Sequence, residues 1–198
     1  MQLRLLASCF NAIMTHLSPN IDLLQNAWAL ASRHHEGQIY NGPVEGEQFA
    51  YLRHIGAVML EVQQALLLRP DLNHQLALIC AILHDTLEDT ELTVEEIEAQ
   101  FGPEVLAGVQ ALTKNESLAN KPAQMQDSLD RILEQPAEIA MVKLADRICN
   151  LAPPPHYWNQ GKINAYRAEA QLILQRLGGA DAYLAKRLEG KIERYPAI

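Results

Sequence analysis

The chain has 198 residues, of which 48% are hydrophobic and 20% are charged, and its formal net charge is −8. This length is enough for one well-filled hydrophobic core, so we expect a single domain over residues 1–198. The negative charge argues against a nucleic-acid polymer as the partner, because phosphate backbones are bound by basic surfaces. A small anionic ligand is still compatible with positive charge that is gathered locally.

The cysteines and the apolar runs bear on the compartment. Cys9, Cys80 and Cys149 are odd in number and form no CxxC pair, which favours a reducing, cytoplasmic environment. No run approaches the roughly 18 to 20 apolar residues of a membrane span. Residues 1–17 carry a single Arg4 and polar residues at helical spacing, which favours an N-terminal extension or an amphipathic docking helix over a signal peptide. The oligomeric state is left open.

Apolar residues recur at helical spacing along the chain without sustained alternation, so we predict an all-α fold. In the first helix, after the cap at Ser18-Pro19, the apolar stripe leads to His35. The later predicted segments are a loop over 37–46, helices over about 49–68 and 73–87, a capping box over 93–96, a polar segment over 113–121, and helices that begin near Pro136, at Gly161 and after Gly178-Gly179.

Four polar residues crowd the end of the helix predicted over 73–87. On a helix, His84, Asp85, Glu88 and Asp89 lie at spacings of three and four residues, so their side chains share one side. Such a concentration of carboxylates is costly unless a divalent cation offsets the negative charge. The apolar run before His84 places this cluster at the buried end of a core helix.

Two further residues on separate helices complete a candidate metal site. His35 and Asp146 each lie on an apolar stripe, where an unpaired charge would cost several kcal/mol. With His84 and Asp85 they form a nitrogen and oxygen set suited to Mn²⁺, Fe²⁺, Co²⁺ or Zn²⁺. Each residue alone also fits a structural role, as a hydrogen-bonded core histidine, a helix cap or an ion-pair partner.

Several motifs together resemble the HD-domain hydrolase half of the Rel/SpoT proteins over about residues 24–177. They are His35-Glu-Gly-Gln38, Tyr51-Leu-Arg-His54, Leu83-His-Asp-Thr-Leu-Glu-Asp-Thr90, Phe101-Gly102, Leu112-Thr-Lys114 and Lys143-Leu-Ala-Asp-Arg-Ile-Cys-Asn150. The chain is too short for synthetase and regulatory domains as well. It therefore resembles a stand-alone small alarmone hydrolase with a single HD-domain helical bundle.

The resemblance implies a reaction and roles for the residues already singled out. Mn²⁺, or another divalent transition metal, would be bound by His35, His84, Asp85 and Asp146, and Glu88 and Asp89 would position or activate water. The implied substrate is a small nucleotide of the (p)ppGpp type, from which the family removes the 3′-pyrophosphate. This agrees with the chemistry of a metal that polarises a phosphoryl oxygen beside a carboxylate that accepts a proton.

The resemblance also implies substrate contacts. Lys143, Arg147 and Lys162 are the expected positive charges for the pyrophosphate. Tyr166 lies with Lys162 in the segment that resembles the phosphate-contacting tail of such enzymes, and Asn150 would contact the nucleoside. A solvated helix face and a helix C-cap are the alternative interpretations of these residues.

One departure from the family pattern concerns the base. After Gly37-Gln38 the family usually has an Arg-Lys pair that contacts the guanine and its phosphates, whereas this chain has Tyr40-Asn41. A tyrosine can stack on any purine but lacks the donors of arginine, so we expect relaxed base preference.

Two other functional classes stay open. One is an HD phosphohydrolase that acts on another nucleotide, such as an adenine alarmone or a phosphorylated dinucleotide cofactor. The other is a non-catalytic nucleotide-binding module, which would have no need of Glu88 and Asp89 next to a complete ligand set.

Overall fold

The computed structural model describes residues 19–196. The segment 1–17, for which we predicted an extension or a docking helix, lies outside the described residues. Among residues 19–196, secondary structure is helical apart from one two-stranded hairpin, which confirms the predicted all-α class. No helix in this part of the chain has both the length and the apolar character that crossing a bilayer requires.

The elements follow one another closely along the chain. The helices are α1 (Ile21–His34), α2 (Leu52–Leu66), α3 (His74–Leu83), α4 (Thr86–Asp89), α5 (Val94–Phe101), α6 (Pro103–Leu112), α7 (Lys121–Leu133), α8 (Ala137–Asn150), α9 (Gln160–Leu177) and α10 (Ala182–Arg194), and the strands are β1 (Ile39–Asn41) and β2 (Gln48–Ala50).

Helices α3 and α8 lie at the centre of the core. Every residue of α3 from Leu76 to Leu83 is buried, as expected of a helix that is apolar on all sides, and α3 packs against α1, α2, α6 and α8. Every residue of α8 from Glu138 to Ile148 is also buried. Polar side chains near the C-terminal ends of these two helices are therefore held inside the protein.

Local sequence explains where several helices begin and end. The side chain of Asn20 caps α1, and the predicted capping box of Thr93 and Glu96 begins α5. Gly102 has a φ of 85°, which glycine adopts without strain, and it joins α5 to α6. The helix predicted over 73–87 is interrupted instead: α3 ends at Leu83, and one short turn, α4, follows Asp85.

A hairpin occupies the region that we predicted to be a loop followed by the start of α2. Strands β1 and β2 pair antiparallel with Tyr40 opposite Phe49, and α2 begins at Leu52 rather than near Phe49. Each strand has only three residues, so the period of two is too short to detect in the sequence. The hairpin places Tyr40 and Tyr51 next to each other at the start of α2, with ring centroids 6.5 Å apart.

Candidate active site

Three buried side chains from three helices converge on one point. His54 lies in the first turn of α2, His84 directly follows α3, and Asp146 lies one turn before the end of α8. One ligand atom from each of these residues lies within 4.8 Å of the other two. His54 Nε2 is 3.3 Å from His84 Nε2 and 3.4 Å from Asp146 Oδ1, and His84 Nε2 is 3.9 Å from Asp146 Oδ1.

Asp85 adds a second carboxylate to this cluster. Its Oδ2 lies 2.9 Å from His84 Nε2 and 3.6 Å from His54 Nε2. The hydroxyl of Tyr51 donates a hydrogen bond to the same oxygen at 2.6 Å, which holds the carboxylate in position. The cluster therefore consists of two imidazoles and two carboxylates.

The geometry of this cluster fits a divalent transition metal. Two ligand atoms about 2.1 Å from a common ion, at tetrahedral or octahedral angles, lie about 3.0 to 3.4 Å apart. The distances around His54 Nε2 fall at or near this range. Nδ1 of His84 lies 2.9 Å from the Ala81 carbonyl, which can only accept, so Nδ1 carries a proton and Nε2 is the nitrogen that a metal ion could bind.

Mutual attraction perturbs the ionisation of these groups. Burial opposes ionisation of Asp146, but the Lys143 ammonium and the hydrogen bond with His54 keep the pKa of this carboxyl well below its usual range. Burial also opposes protonation of His54, but the carboxylates of Asp146 and Asp85 raise the pKa of its imidazole to about 9. Burial opposes ionisation of Asp85 too, but His84 and His54 keep the pKa of its carboxyl well below the usual range. The cluster thus strongly favours a positive charge at its centre.

The structure does not bring His35 into this cluster, contrary to the ligand set predicted from the sequence. His35 is 2% exposed, its Nδ1 lies 2.7 Å from Gln38 Oε1, and its ring stacks on Tyr51 at 4.9 Å. His54 occupies the position in the cluster that we expected for His35. An apolar stripe shows that a histidine faces the core, but it does not show which part of the core it reaches.

Glu88 and Asp89 lie beside the cluster in different environments. Lys114 binds the Glu88 carboxylate twice, through its ammonium at 2.5 Å and through its backbone N–H at 3.1 Å. Asp89 is exposed, and its Oδ2 lies 3.1 Å from the Tyr51 hydroxyl. Partial burial, with the negative charge of Asp85, raises the pKa of the Asp89 carboxyl. Asp89 is therefore the more accessible of the two carboxylates.

The residues predicted on α8 to contact substrate are largely engaged within the protein. Lys143 is 7% exposed, and its ammonium lies 3.1 Å from Asp146 Oδ2. Arg147 is 4% exposed, pairs with Glu169 and lies over the Tyr166 ring. Asn150 donates its side-chain amide to Asp146 Oδ1. In this arrangement Lys143 and Asn150 support the Asp146 carboxylate.

The remaining predicted contacts line the region around the hairpin and the segment after α8. Tyr40 is half-buried between Phe49 and Tyr51, and Asn41 donates a hydrogen bond to the Tyr157 hydroxyl at 3.3 Å. The Lys162 ammonium is exposed and lies 4.1 Å from the centre of the Trp158 ring. The Tyr166 ring meets Trp158 edge to face at 5.1 Å.

Three residues that shape this site were given no role in the sequence-based prediction: Tyr51, His54 and Lys114. A signal for His54 was present, because residues 54, 58 and 62 of α2 share a helix face, and Val58 and Val62 are core residues. Tyr51 and Lys114 contact the site from outside regular helices, where the spacing of apolar residues does not indicate which way a side chain points.

Comparison with known proteins gives a family match over most of the chain. The model of the HD domain family matches residues 27–181. A MESH1 guanosine-3′,5′-bis(diphosphate) 3′-pyrophosphohydrolase of Homo sapiens is 28% identical over 84% of this chain and 90% of that protein. The Drosophila melanogaster MESH1 is 26% identical over 72% of this chain and 79% of that protein.

A solved structure has the same fold. It was described with a metazoan ortholog of SpoT that hydrolyses ppGpp, and it superposes with a TM-score of 0.75 at 23% identity, over 91% of this chain and 99% of the other. These matches confirm the resemblance to the hydrolase half of the Rel/SpoT proteins. Together with the cluster of His54, His84 and Asp146, they support a divalent metal site.

Proposed function

We propose that this chain, which belongs to the HD domain family, is a metal-dependent hydrolase that removes pyrophosphate from the 3′ position of ppGpp-type nucleotides. The observation that carries the proposal is the convergence of His54, His84 and Asp146 from three helices, with the exposed carboxylate of Asp89 beside them. The relatives named as 3′-pyrophosphohydrolases match this chain over most of their own length, which supports the same reaction.

The ligand set that we propose is His54, His84, Asp85 and Asp146, with Mn²⁺ as the ion. A mixed nitrogen and oxygen set suits Mn²⁺, although Fe²⁺, Co²⁺ and Zn²⁺ accept the same donors. A divalent cation at this point supplies a Lewis acid that polarises a phosphoryl oxygen. Lys143 and Asn150 each hold one oxygen of Asp146 and so orient this ligand.

In this proposal the two carboxylates of α4 have different roles. Asp89 accepts the proton of the attacking water, because it is exposed and its side chain has one hydrogen bond among the described residues, with the Tyr51 hydroxyl. Glu88 is tied to Lys114 and keeps this ammonium, whose side chain is 37% exposed, at the edge of the site. Lys114 and Lys162 would then meet the negative charge of the pyrophosphate.

Base recognition is assigned to the hairpin. Tyr40 stands close to Tyr51 and hence to the ligand Asp85, and Asn41 links the hairpin to Tyr157 in the segment after α8. An aromatic ring contributes roughly 1 to 3 kcal/mol to base stacking and tolerates any base. The hairpin thus provides a stacking surface and none of the charged donors of an Arg-Lys pair, which supports relaxed discrimination between guanine and adenine.

We place this activity in the cytoplasm, on a single domain formed by residues 1–198, with a small nucleotide rather than a nucleic-acid polymer as the partner. Cys80 and Cys149 are free thiols, as expected in a reducing compartment. The chain's net charge of −8 disfavours binding to a nucleic-acid backbone.

The proposal is tested with purified protein, Mn²⁺ and a panel of nucleotides, with release of pyrophosphate and release of inorganic phosphate as the two readouts. The panel contains guanosine and adenosine nucleotides with a 3′-pyrophosphate, a phosphorylated dinucleotide cofactor and nucleoside 5′-triphosphates. We expect metal-dependent release from the 3′-pyrophosphates alone. Hydrolysis of the dinucleotide cofactor only, or tight nucleotide binding without any hydrolysis, would replace this proposal with one of the two alternatives.

A further inference from the structure

Two residues outside the metal cluster are linked to the carboxylates of α4. Gln38 precedes β1, and its side-chain amide donates a hydrogen bond to the backbone carbonyl of Asp89 at 2.7 Å, across 51 positions of sequence. Tyr51 reaches the same turn from the start of α2, with its hydroxyl 2.6 Å from Asp85 Oδ2 and 3.1 Å from Asp89 Oδ2. Asp89 is thus held through its backbone by one residue and through its side chain by the other.

His35 joins these two residues. Its Nδ1 lies 2.7 Å from Gln38 Oε1, and because an amide oxygen only accepts, Nδ1 is the donor. Its ring stacks on the Tyr51 ring, with centroids 4.9 Å apart and planes inclined by 27°. His35 is 2% exposed, so both contacts are protected from water. A single imidazole therefore orients the amide of Gln38 and the phenol of Tyr51.

The turn that these residues hold has little support of its own. Helix α4 is a single turn of four residues, and the last carbonyls of a helix lack partners within the helix. Gln38 supplies such a partner to Asp89. Since a displacement of about 1 Å in a reacting group can cost roughly a hundredfold in rate, an external hold on this turn has a direct consequence for catalysis.

We infer that His35, Gln38 and Tyr51 form a brace that positions the Asp89 carboxylate against the metal ligand Asp85. This inference rests on the proposed function, in which Asp89 accepts the proton of water. The members of the brace are positioning residues. They bind neither the metal nor the substrate, and His35 acts only through the other two.

The test uses Gln38→Leu and Tyr51→Phe in the full chain, each of which removes one hydrogen-bonding group and nearly preserves volume. Gln64→Leu is the matched control, since Gln64 is exposed on α2, away from the brace. We expect kcat to fall tenfold or more in both brace variants, with KM and bound Mn²⁺ within twofold of the unmodified protein and no change in the control. The double variant should lose less than the product of the single losses, because both residues act on one carboxylate.

Other outcomes overturn the inference. Loss of bound metal would make the brace part of the metal site, and a rise in KM at constant kcat would make these residues substrate contacts. Unchanged kcat in both variants, or an equal loss in Gln64→Leu, would remove the positioning role.

A second readout does not depend on activity. Nitrogen-15 NMR of the metal-free protein should show His35 protonated at Nδ1, and Gln38→Leu should shift that signal. The absence of such a shift would mean that the link between His35 and Gln38 does not exist. If the unmodified protein hydrolyses none of the nucleotides, the proposed function fails, while the NMR result still decides whether the brace is present.

Discussion

The observed cluster contains His54, whereas the ligand set predicted from the sequence contains His35. Replacing each histidine in turn tests most directly which of them binds the metal. His54→Ala removes an imidazole whose Nε2 lies 3.3 to 3.6 Å from atoms of His84, Asp85 and Asp146. His35→Phe removes the other candidate ligand and keeps a ring that can stack on Tyr51. We expect the first variant to lose the metal and the second to retain it.

The size of the effect follows from mass action. A metal that binds only the folded state stabilises it by about 2.7 kcal/mol at a concentration one hundred times its Kd. For a chain of this length, 1 kcal/mol shifts Tm by about 2 to 4 °C, so saturating Mn²⁺ should raise the Tm of the unmodified protein by about 5 to 11 °C. We expect a similar rise for His35→Phe and none for His54→Ala.

The assay is thermal unfolding with EDTA and with Mn²⁺, together with metal analysis of the same samples. His74→Ala is the matched control, because His74 is also buried but its Nε2 contacts the backbone carbonyl of Arg69. Each variant serves as its own reference, so a general loss of stability does not affect the comparison. A Mn²⁺-induced rise that survives in His54→Ala and disappears in His35→Phe would refute the ligand set read from the geometry.

Three further predictions concern the reaction. Asp146→Ala should abolish metal binding and all hydrolysis, and full activity in a metal-free variant would exclude this site. Glu88→Gln and Asp89→Asn should keep Mn²⁺ and KM while losing roughly 10² to 10⁴ in kcat, measured at saturating substrate; loss of metal would place the residue among the ligands. Guanine and adenine 3′-pyrophosphates should have similar kcat/KM, and Tyr40→Ala should weaken both. A guanine preference of about a hundredfold, or roughly 2.7 kcal/mol, would show that other residues recognise the base.

The sequence predicted most of the fold because the helices are long and strongly patterned. The capping box at Thr93 and the start of α8 after Pro136 were both identified from local residue types. The hairpin was missed because three-residue strands leave no measurable period. The break between α3 and α4 was also missed, because His84 and Asp85 both keep helical backbone angles and the two helices are therefore nearly continuous.

The candidate site was predicted only in part, and the reason differs from the one that applies to the fold. Helical spacing correctly indicated that His35, His84 and Asp146 face the interior, and all three are buried. The spacing of residues along one helix, however, does not show at which residue a neighbouring helix crosses it. Whether His35 or His54 reaches His84 depends on how α1 and α2 each pack on α3, and that relation is set by tertiary contacts.

The positions of the lysines and of Arg147 explain how an acidic chain can bind an acidic ligand. The site holds the carboxylates of Asp85, Asp89 and Asp146, and the positive charges of Lys143 and Arg147 are already paired with Asp146 and Glu169. A pyrophosphate would therefore meet net repulsion until a divalent cation occupies the cluster. A divalent cation in the cluster would make the site electrostatically compatible with its substrate, and the partly exposed ammonium of Lys114, although paired with Glu88, would lie at the edge of the site.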